Sequence, residues 1–347
     1  MKSLSAYIKR TIQCVALVAA ASGISACDPI LDNDYGDCTV RYHVSFCYDY
    51  NMLGVDAFSK QVESVTLYAF DADGVLRHQT GATCENILAS GGCMEVPFNP
   101  EEYHLVTWCH NIGCQTTELP DMVCGKSTIS ELQCRIGGRT KKDDCTEVCR
   151  IGPIFHGEAV NPEPVNNDEL NPTYLVPLVK NTNHVRIILN NLDEQPLLAS
   201  DFDFSIVEEN GLMNYDNSLL PDEQLTYVPF YTGQGNVGYE TEDTRADDNT
   251  TTLNMAIAEM SIGRLMADRN PYLTVTNRQT GKLVFRIPLV QYLLIAKSEN
   301  VSHMSDQEYL DREDTYSLTF FLDKNQSWIS TSILINSWRV VLMDVDM

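Results

Sequence analysis

Between Thr39 and Tyr48 the chain reads TVRYHVSFCY, with apolar and polar residues in alternation. Val40, Tyr42, Val44, Phe46 and Tyr48 fall on one face of an extended segment, and Arg41, His43, Ser45 and Cys47 fall on the other. A period of two buries one face of a strand, whereas a helix needs a period near 3.6. Further strand signals are VESVTLYAF (Val62–Phe70), VLRHQT (Val75–Thr80) and YHLVTWC (Tyr103–Cys109). Beyond residue 180 come HVRIIL, DFDFSIV, LTYVPFY, LNMAIAEM, PYLTVT, KLVFRIPL, YLLIA, TYSLTFFL and WRVVLMDV. Many short strands at regular spacing, without a long helical period or an internal repeat, predict an all-β chain of antiparallel sandwiches.

Turn residues punctuate these runs. DADG (Asp71–Gly74) reads as a turn and NRQTG (Asn277–Gly281) as a hairpin connection. VDAFSKQV (Val55–Val62) suits one or two helical turns. Ser305 and Glu308 have the spacing of a capping box at the start of one short helix. Residues 110–155, rich in Cys, Gly, Lys and Asp, give no ordered pattern.

Cysteine placement suggests how the chain divides. Of twelve cysteines, ten lie from Cys38 to Cys149 and none beyond. In an exported chain such a set reads as several disulfides, with buried free thiols as the alternative. NPEPVNNDELNPT (Asn161–Thr173), with three prolines and four asparagines, reads as a linker or interdomain crossing. The expected division is a signal at 1–26, a tether at 27–37, a cysteine-rich sandwich at 38–170 and a cysteine-free sandwich at 171–347.

Export is read from the N-terminus. Lys2, Lys9 and Arg10 precede an apolar run from Thr11 to Ala21, and small residues Ser25 and Ala26 follow. That order is a secretory signal, and the run falls short of the roughly 20 residues that span a bilayer. Ile24-Ser25-Ala26-Cys27 resembles a bacterial lipobox, which makes Cys27 the candidate lipidation site. Ordinary cleavage after Ala26, leaving Cys27 a plain thiol, is the competing reading. The acidic segment from Asp28 to Asp37 then serves as tether.

The formal charge is -24, and loss of Lys2, Lys9 and Arg10 with the signal makes it -27 (-24 minus 3). Such a charge disfavours nucleic acid and anionic lipid as partners. No catalytic, cofactor or metal site is expected. CHNIGC (Cys109–Cys114) invites zinc or a Cys-His pair, but the partner spacing, Cys145 to Cys149, is loose. Asp32, Asp34 and Asp37 lack the glycine and terminal Glu of a calcium loop. G-x-S-x-G and H-E-x-x-H are absent. Trp108, Trp328 and Trp338 read as core side chains rather than a sugar platform.

Several ordered segments carry a family resemblance. FCYDYNM, VESVTLYAFDADG, VPLVKNTNHVRIILNNL, DFDFSIVEENGLMNYDNSLLP, LTVTNRQTGKLVFRIPL, SDQEYLDREDTYSLTFFLD and ILINSWRVVL together resemble the FimB-type fimbrial anchor lipoproteins of Bacteroidales. The resemblance covers nearly the whole mature chain; the eight cysteines within residues 84–149 depart from it. It implies two transthyretin-like β-sandwiches in tandem, outer-membrane lipidation with surface exposure, and attachment of a fimbrial shaft to the cell. Shaft subunits would join by β-strand addition. A subunit held by lipid is not trimmed, so it keeps its own first strand, and its filled groove stops further addition. The final SWRVVLMDVDM reads either as a donor strand or as the last strand of its own sandwich. A surface glycan-binding lipoprotein is the alternative function.

Overall fold

The computed structural model describes residues 39–111, 116–142, 144–191, 197–239, 251–297, 301–336 and 338–341. The expected signal, Cys27 and the expected tether lie outside the described residues, as do Cys38, Cys114 and residues 240–250. Residues 41–347 cluster as one unit. Its strands up to Lys180 are β1 (Tyr42–Cys47), β2 (Ser64–Phe70), β3 (Leu76–Thr83), β4 (Cys93–Val96), β5 (His104–His110), β6 (Thr117–Glu118), β7 (Cys134–Ile136), β8 (Arg139–Lys142), β9 (Cys145–Val148), β10 (Phe155–Val160) and β11 (Thr173–Lys180). Then come β12 (Thr182–Asn191), β13 (Phe202–Glu208), β14 (Leu212–Met213), β15 (Leu225–Tyr227), β16 (Tyr231–Tyr239), β17 (Thr251–Gly263), β18 (Tyr272–Asn277), β19 (Leu283–Pro288), β20 (Thr315–Leu322), β21 (Trp328–Ile335) and β22 (Trp338–Val341). The described helices are short, so the chain is all-β, as the alternation requires.

A seven-stranded sheet, ordered β3-β2-β5-β10-β11-β1-β4, carries the first core. Val44, Phe46 and Tyr48 from β1 and the residue after it meet Leu67, Leu105, Val176 and Leu178 there, together with Phe58 and Ile87 from two helices. The central strands β2 and β5 are buried on both faces. Val65, Leu67 and Ala69 enter this core, while Tyr68, Phe70, Val106 and Trp108 enter the larger one.

That larger core lies mainly between two six-stranded sheets, β16-β17-β12-β20-β21-β22 and β19-β18-β13-β15-β9-β8. Val185, Ile187 and Leu189 of β12 face Phe202, Phe204 and Ile206 of β13 across it, each set spaced by two as the pleat demands. Phe285 of β19 stacks on Phe320 of β20 with ring centroids 4.0 Å apart. Both sheets contain a parallel pair, β12 with β20 and β15 with β9, so they are mixed rather than purely antiparallel.

Three readings are corrected. The YLLIA run lies in a helix, Leu289–Ile295, because Leu289, Val290 and Leu293 are the positions it buries, a helical spacing. The pattern-poor stretch 110–155 holds four short strands: β8 and β9 extend a sandwich sheet, and β6 pairs with β7, which pairs in turn with β14. The eight described cysteines form no disulfide. Cys84 and Cys109 fill the first core and Cys134 the second, packing as small apolar groups, and burial pushes their thiol pKa values up.

The proline-rich segment 161–173 joins β10 to β11, which are neighbours in the first sheet. The chain leaves that sheet after Lys180, with Asn181 separating β11 from β12. DADG and NRQTG form the connections of β2 to β3 and β18 to β19. The Ser305 hydroxyl accepts from the Glu308 amide (3.0 Å) at the head of helix Asp306–Arg312, as its spacing predicts.

Candidate functional site: the inserted N-terminal strand

The first described strand is not at an edge. β1 lies between β11, to which it is parallel, and β4, to which it is antiparallel. His43 to Cys47 pair with Thr173 to Pro177 on one side, and Tyr42 to Ser45 pair with Val96 to Cys93 on the other. The ladder begins outside the strand itself, where the Arg41 amide donates to the Leu170 carbonyl (2.8 Å) and the His43 amide to the Pro172 carbonyl (3.0 Å). The Ser45 hydroxyl adds a bond to the Tyr174 carbonyl (3.3 Å).

Side-chain alternation plugs this strand into the core. Val44 and Tyr48 are fully buried and Phe46 is 5% exposed. Phe46 stacks on Phe58 at 5.9 Å, and Tyr48 meets Phe155 of β10 edge-on at 5.0 Å. Each such apolar side chain contributes about 1.5–3 kcal/mol on leaving water. The opposite face stays half-buried, as its polar residues require. Partial burial, with Asp56 and Asp49 nearby, pushes the Cys47 thiol up to about 11. It is therefore a thiol at neutral pH, not a thiolate nucleophile.

The turn after β1 is built on two short side chains. Asp56 Oδ1 accepts from the amides of Tyr48 and Phe58 (both 2.9 Å). Buried Asn51 donates to the carbonyls of Tyr48 (2.7 Å) and Val55 (2.9 Å), while its Oδ1 accepts from the amides of Leu53 and Gly54. Gly54, at φ +65°, supplies the left-handed residue that this loop needs. Sequence reading missed Asn51; its only signal was an Asn three residues ahead of a Gly.

Partners from the second half of the chain close the site. The Met52 amide donates to the Arg312 carbonyl (3.1 Å), and the Arg312 guanidinium lies 4.0 Å above the Tyr50 ring. At the end of β11, Lys180 donates to Gln61 (2.9 Å) and pairs with Asp314. These contacts brace the end of β1 against the helix Asp306–Arg312.

The other strand singled out by sequence behaves differently. Trp338–Val341 is β22, at the edge of its own sheet, with β21 as its one neighbour among the described residues. The last-strand reading of SWRVVLMDVDM therefore fits the described residues, and residues 342–347 lie outside them. Trp108 is buried and Trp328 packs on Phe285 and Phe320, so these two form no common platform. Cys109 is buried in β5, whereas Cys145 and Cys149 are exposed at the two ends of β9. Among the described residues no helix is long and apolar enough to cross a membrane.

Known proteins share this architecture. The model of a family described as fimbrillin-A associated anchor proteins Mfa1 and Mfa2 matches residues 35–344. The minor fimbrium anchoring subunit Mfa2 of Porphyromonas gingivalis is 20% identical over 339 residues, covering 96% of this chain and 95% of that protein. Among solved structures, a candidate adhesin from Bacteroides thetaiotaomicron superposes with a TM-score of 0.75 at 29% identity, covering 89% of this chain and 100% of that one. A second protein of that organism, named for candidate polysaccharide binding, gives a TM-score of 0.70 at 28% identity over 88% and 99% of the two chains. The fimbrial anchor protein Mfa2 from Porphyromonas gingivalis gives 0.60 at 16% identity over 88% and 100%, a likeness of fold.

Proposed function

The chain belongs to the family of fimbrillin-A associated anchor proteins, and on that ground we propose that it ties a fimbrial shaft to the outer membrane through lipid on Cys27. The family is one of structural anchor subunits of fimbriae, not of enzymes, and its place is the cell surface. In this reading the chain is a pair of transthyretin-like sandwiches, 38–170 and 171–347, with β11 reaching back to complete the first sheet. Fifteen positions separate Cys27 from Tyr42, the start of β1 (42 minus 27). Fully extended, they reach about 50 Å, enough to hold a folded body clear of lipid headgroups.

The observation that carries the proposal is the place of β1. A fibre grown by strand addition needs each subunit to offer a vacant strand position to the next. Here the position between β4 and β11 is filled by the chain's own residues, with Val44, Phe46 and Tyr48 in the core. A lipid-held N-terminus is not lost, so this position accepts no donor, and subunit addition ends at the anchor. Shaft subunits are the partners, and fibre length is limited as a consequence.

The test is made in cells. Deleting the gene should release fibres into the medium and lengthen them, as counted by electron microscopy. Cys27→Ala should move the protein out of the membrane fraction and release fibres as well. Attached fibres of ordinary length in the deletion strain would reject the anchor role. A Cys27→Ala protein that stays with the membrane, without an acyl adduct on the wild type, would reject lipidation alone. The solved relative named for candidate polysaccharide binding favours a second reading, surface glycan binding.

A further inference from the structure

A cavity of about 550 Å³ opens where the chain passes between the two cores, lined by Arg150, Ile151 and Gly152 beside Lys180, Thr182 and His184. Two features set it apart. The whole chain carries -24, yet among the described residues no carboxylate lines this cavity, while an arginine, a lysine and a histidine do. The arginine is also without a countercharge: Lys180 is neutralised by Asp314 and His184 Nε2 stands 3.5 Å from Glu259, but Arg150 makes no ion pair among the described residues. A cation held in a concave site that excludes acids raises the local concentration of anions.

The remaining lining indicates what the anion is attached to. Phe230 contributes an aromatic ring to the wall, with the Arg150 guanidinium 5.6 Å and the His184 ring 5.8 Å from its centroid. Neutral polar groups complete the lining. Thr116, 7% exposed, has a buried hydroxyl with no partner among the described residues, so it is left to bond a ligand. The Ser261 hydroxyl accepts from the Ile151 amide (2.8 Å) and keeps its own proton to donate. Asn183 gives one amide hydrogen to the Gly263 carbonyl (3.3 Å), leaving its oxygen, and Asn111 adds a further side-chain amide. A simple inorganic anion would use the cation and leave the ring and these hydroxyls and amides unmatched. A molecule with one carboxylate, an apolar face and several hydroxyls uses all of them.

We propose that this cavity binds an acidic sugar residue, with Arg150 pairing to the carboxylate and Phe230 lying against the ring. The paired guanidinium and carboxylate supply orientation as well as energy. Gly152 also lines the site. A Cβ placed there meets Asn111 Nδ2 at 3.4 Å and Thr116 Cγ2 at 3.5 Å, ordinary contacts, so a side chain at this position fills the cavity without a backbone clash.

The experiment is titration calorimetry on the full-length protein with glucuronate and N-acetylneuraminate, with glucose and acetate as controls. At least one acidic sugar should bind saturably and more tightly than either control. Arg150→Gln should weaken it by at least about tenfold. Gly152→Leu should abolish it while the melting temperature stays within a few degrees of wild type. Arg150 is exposed, so its replacement keeps the test valid if Gly152→Leu fails to fold. No binding of either acidic sugar overturns the proposal. So does equal affinity for glucose or acetate, unchanged affinity in Arg150→Gln, or retained binding in a folded Gly152→Leu protein.

Discussion

The first and last strands described here meet their sheets in opposite ways. β1 is an interior strand with a neighbour on each side, and it sends Val44 and Phe46 into the first core. β22 is an edge strand of four residues, paired through Ser332 to Ile335 with β21 alone among the described residues. Both come from alternating or β-branched runs, so propensity does not separate them. What separates them is the number of partners supplied by the rest of the chain. An interior strand satisfies its backbone on both sides and is costly to remove, whereas an edge strand leaves one side open and is cheap to remove.

The largest expected effect comes from emptying the interior strand. Phe46→Ala should destabilise the protein by about 3–5 kcal/mol, the scale for deleting a buried aromatic side chain. Urea unfolding with the slope compared to wild type measures it. A loss near that expected for an exposed residue would put β1 on a par with β22.

The next effect bears on how the sheet that holds β1 meets the second half. His156 of β10 is buried, shares its Nε2 hydrogen with the Tyr215 carbonyl (2.6 Å) and lies 4.8 Å from Trp108. Burial lowers its pKa from 6.5 to about 4, with Arg264 and His104 adding to the shift and the Tyr215 bond and Asp216 opposing it. The unfolded histidine takes up its proton below about 6.5, while the folded one resists down to about 4. Its contribution is therefore complete above pH 6.5, is lost as the pH falls towards 4, and amounts to about 3 kcal/mol in all. His156→Gln, which cannot titrate, should flatten the fall in unfolding free energy between pH 7.5 and 4.5. The same fall in both proteins would assign acid sensitivity to other groups.

Removing residues 337–347 should have the smallest effect, about 1 kcal/mol, because a few edge hydrogen bonds are offset by recovered chain entropy. Calorimetric melting of the truncated protein checks this. A collapse comparable to Phe46→Ala would show that the last strand is as integral as the first.

Much of this is legible in local pattern. Val44, Phe46 and Tyr48 announce the buried face of β1, and the paired burial of β2 and β5 follows from their dense apolar runs. Ser305 with Glu308, DADG and NRQTG each act within a few residues, so their chemistry is visible where they stand. The strand Trp328–Ile335 was missed, since Ser and Thr interrupt its apolar residues.

The alternating and apolar runs by themselves determined that the chain is all-β and which face of its first strand is buried, because side-chain period and burial are local properties. Tertiary structure decided where the strands go. β9 pairs in parallel with β15, with Thr146 opposite Leu225, and no local pattern encodes a partner that distant. The same holds for Arg139, which reaches Asp222 at 2.8 Å and the Gly211 carbonyl at 2.8 Å to bind the cysteine-rich segment to the sandwich. Cysteine count alone suggested bridges, yet the cores had room for Cys84, Cys109 and Cys134 as apolar groups. β1 lies beside β11 for the same reason: its alternation calls for a buried position, but only the folded sheet has one between Thr173–Lys180 and Cys93–Val96.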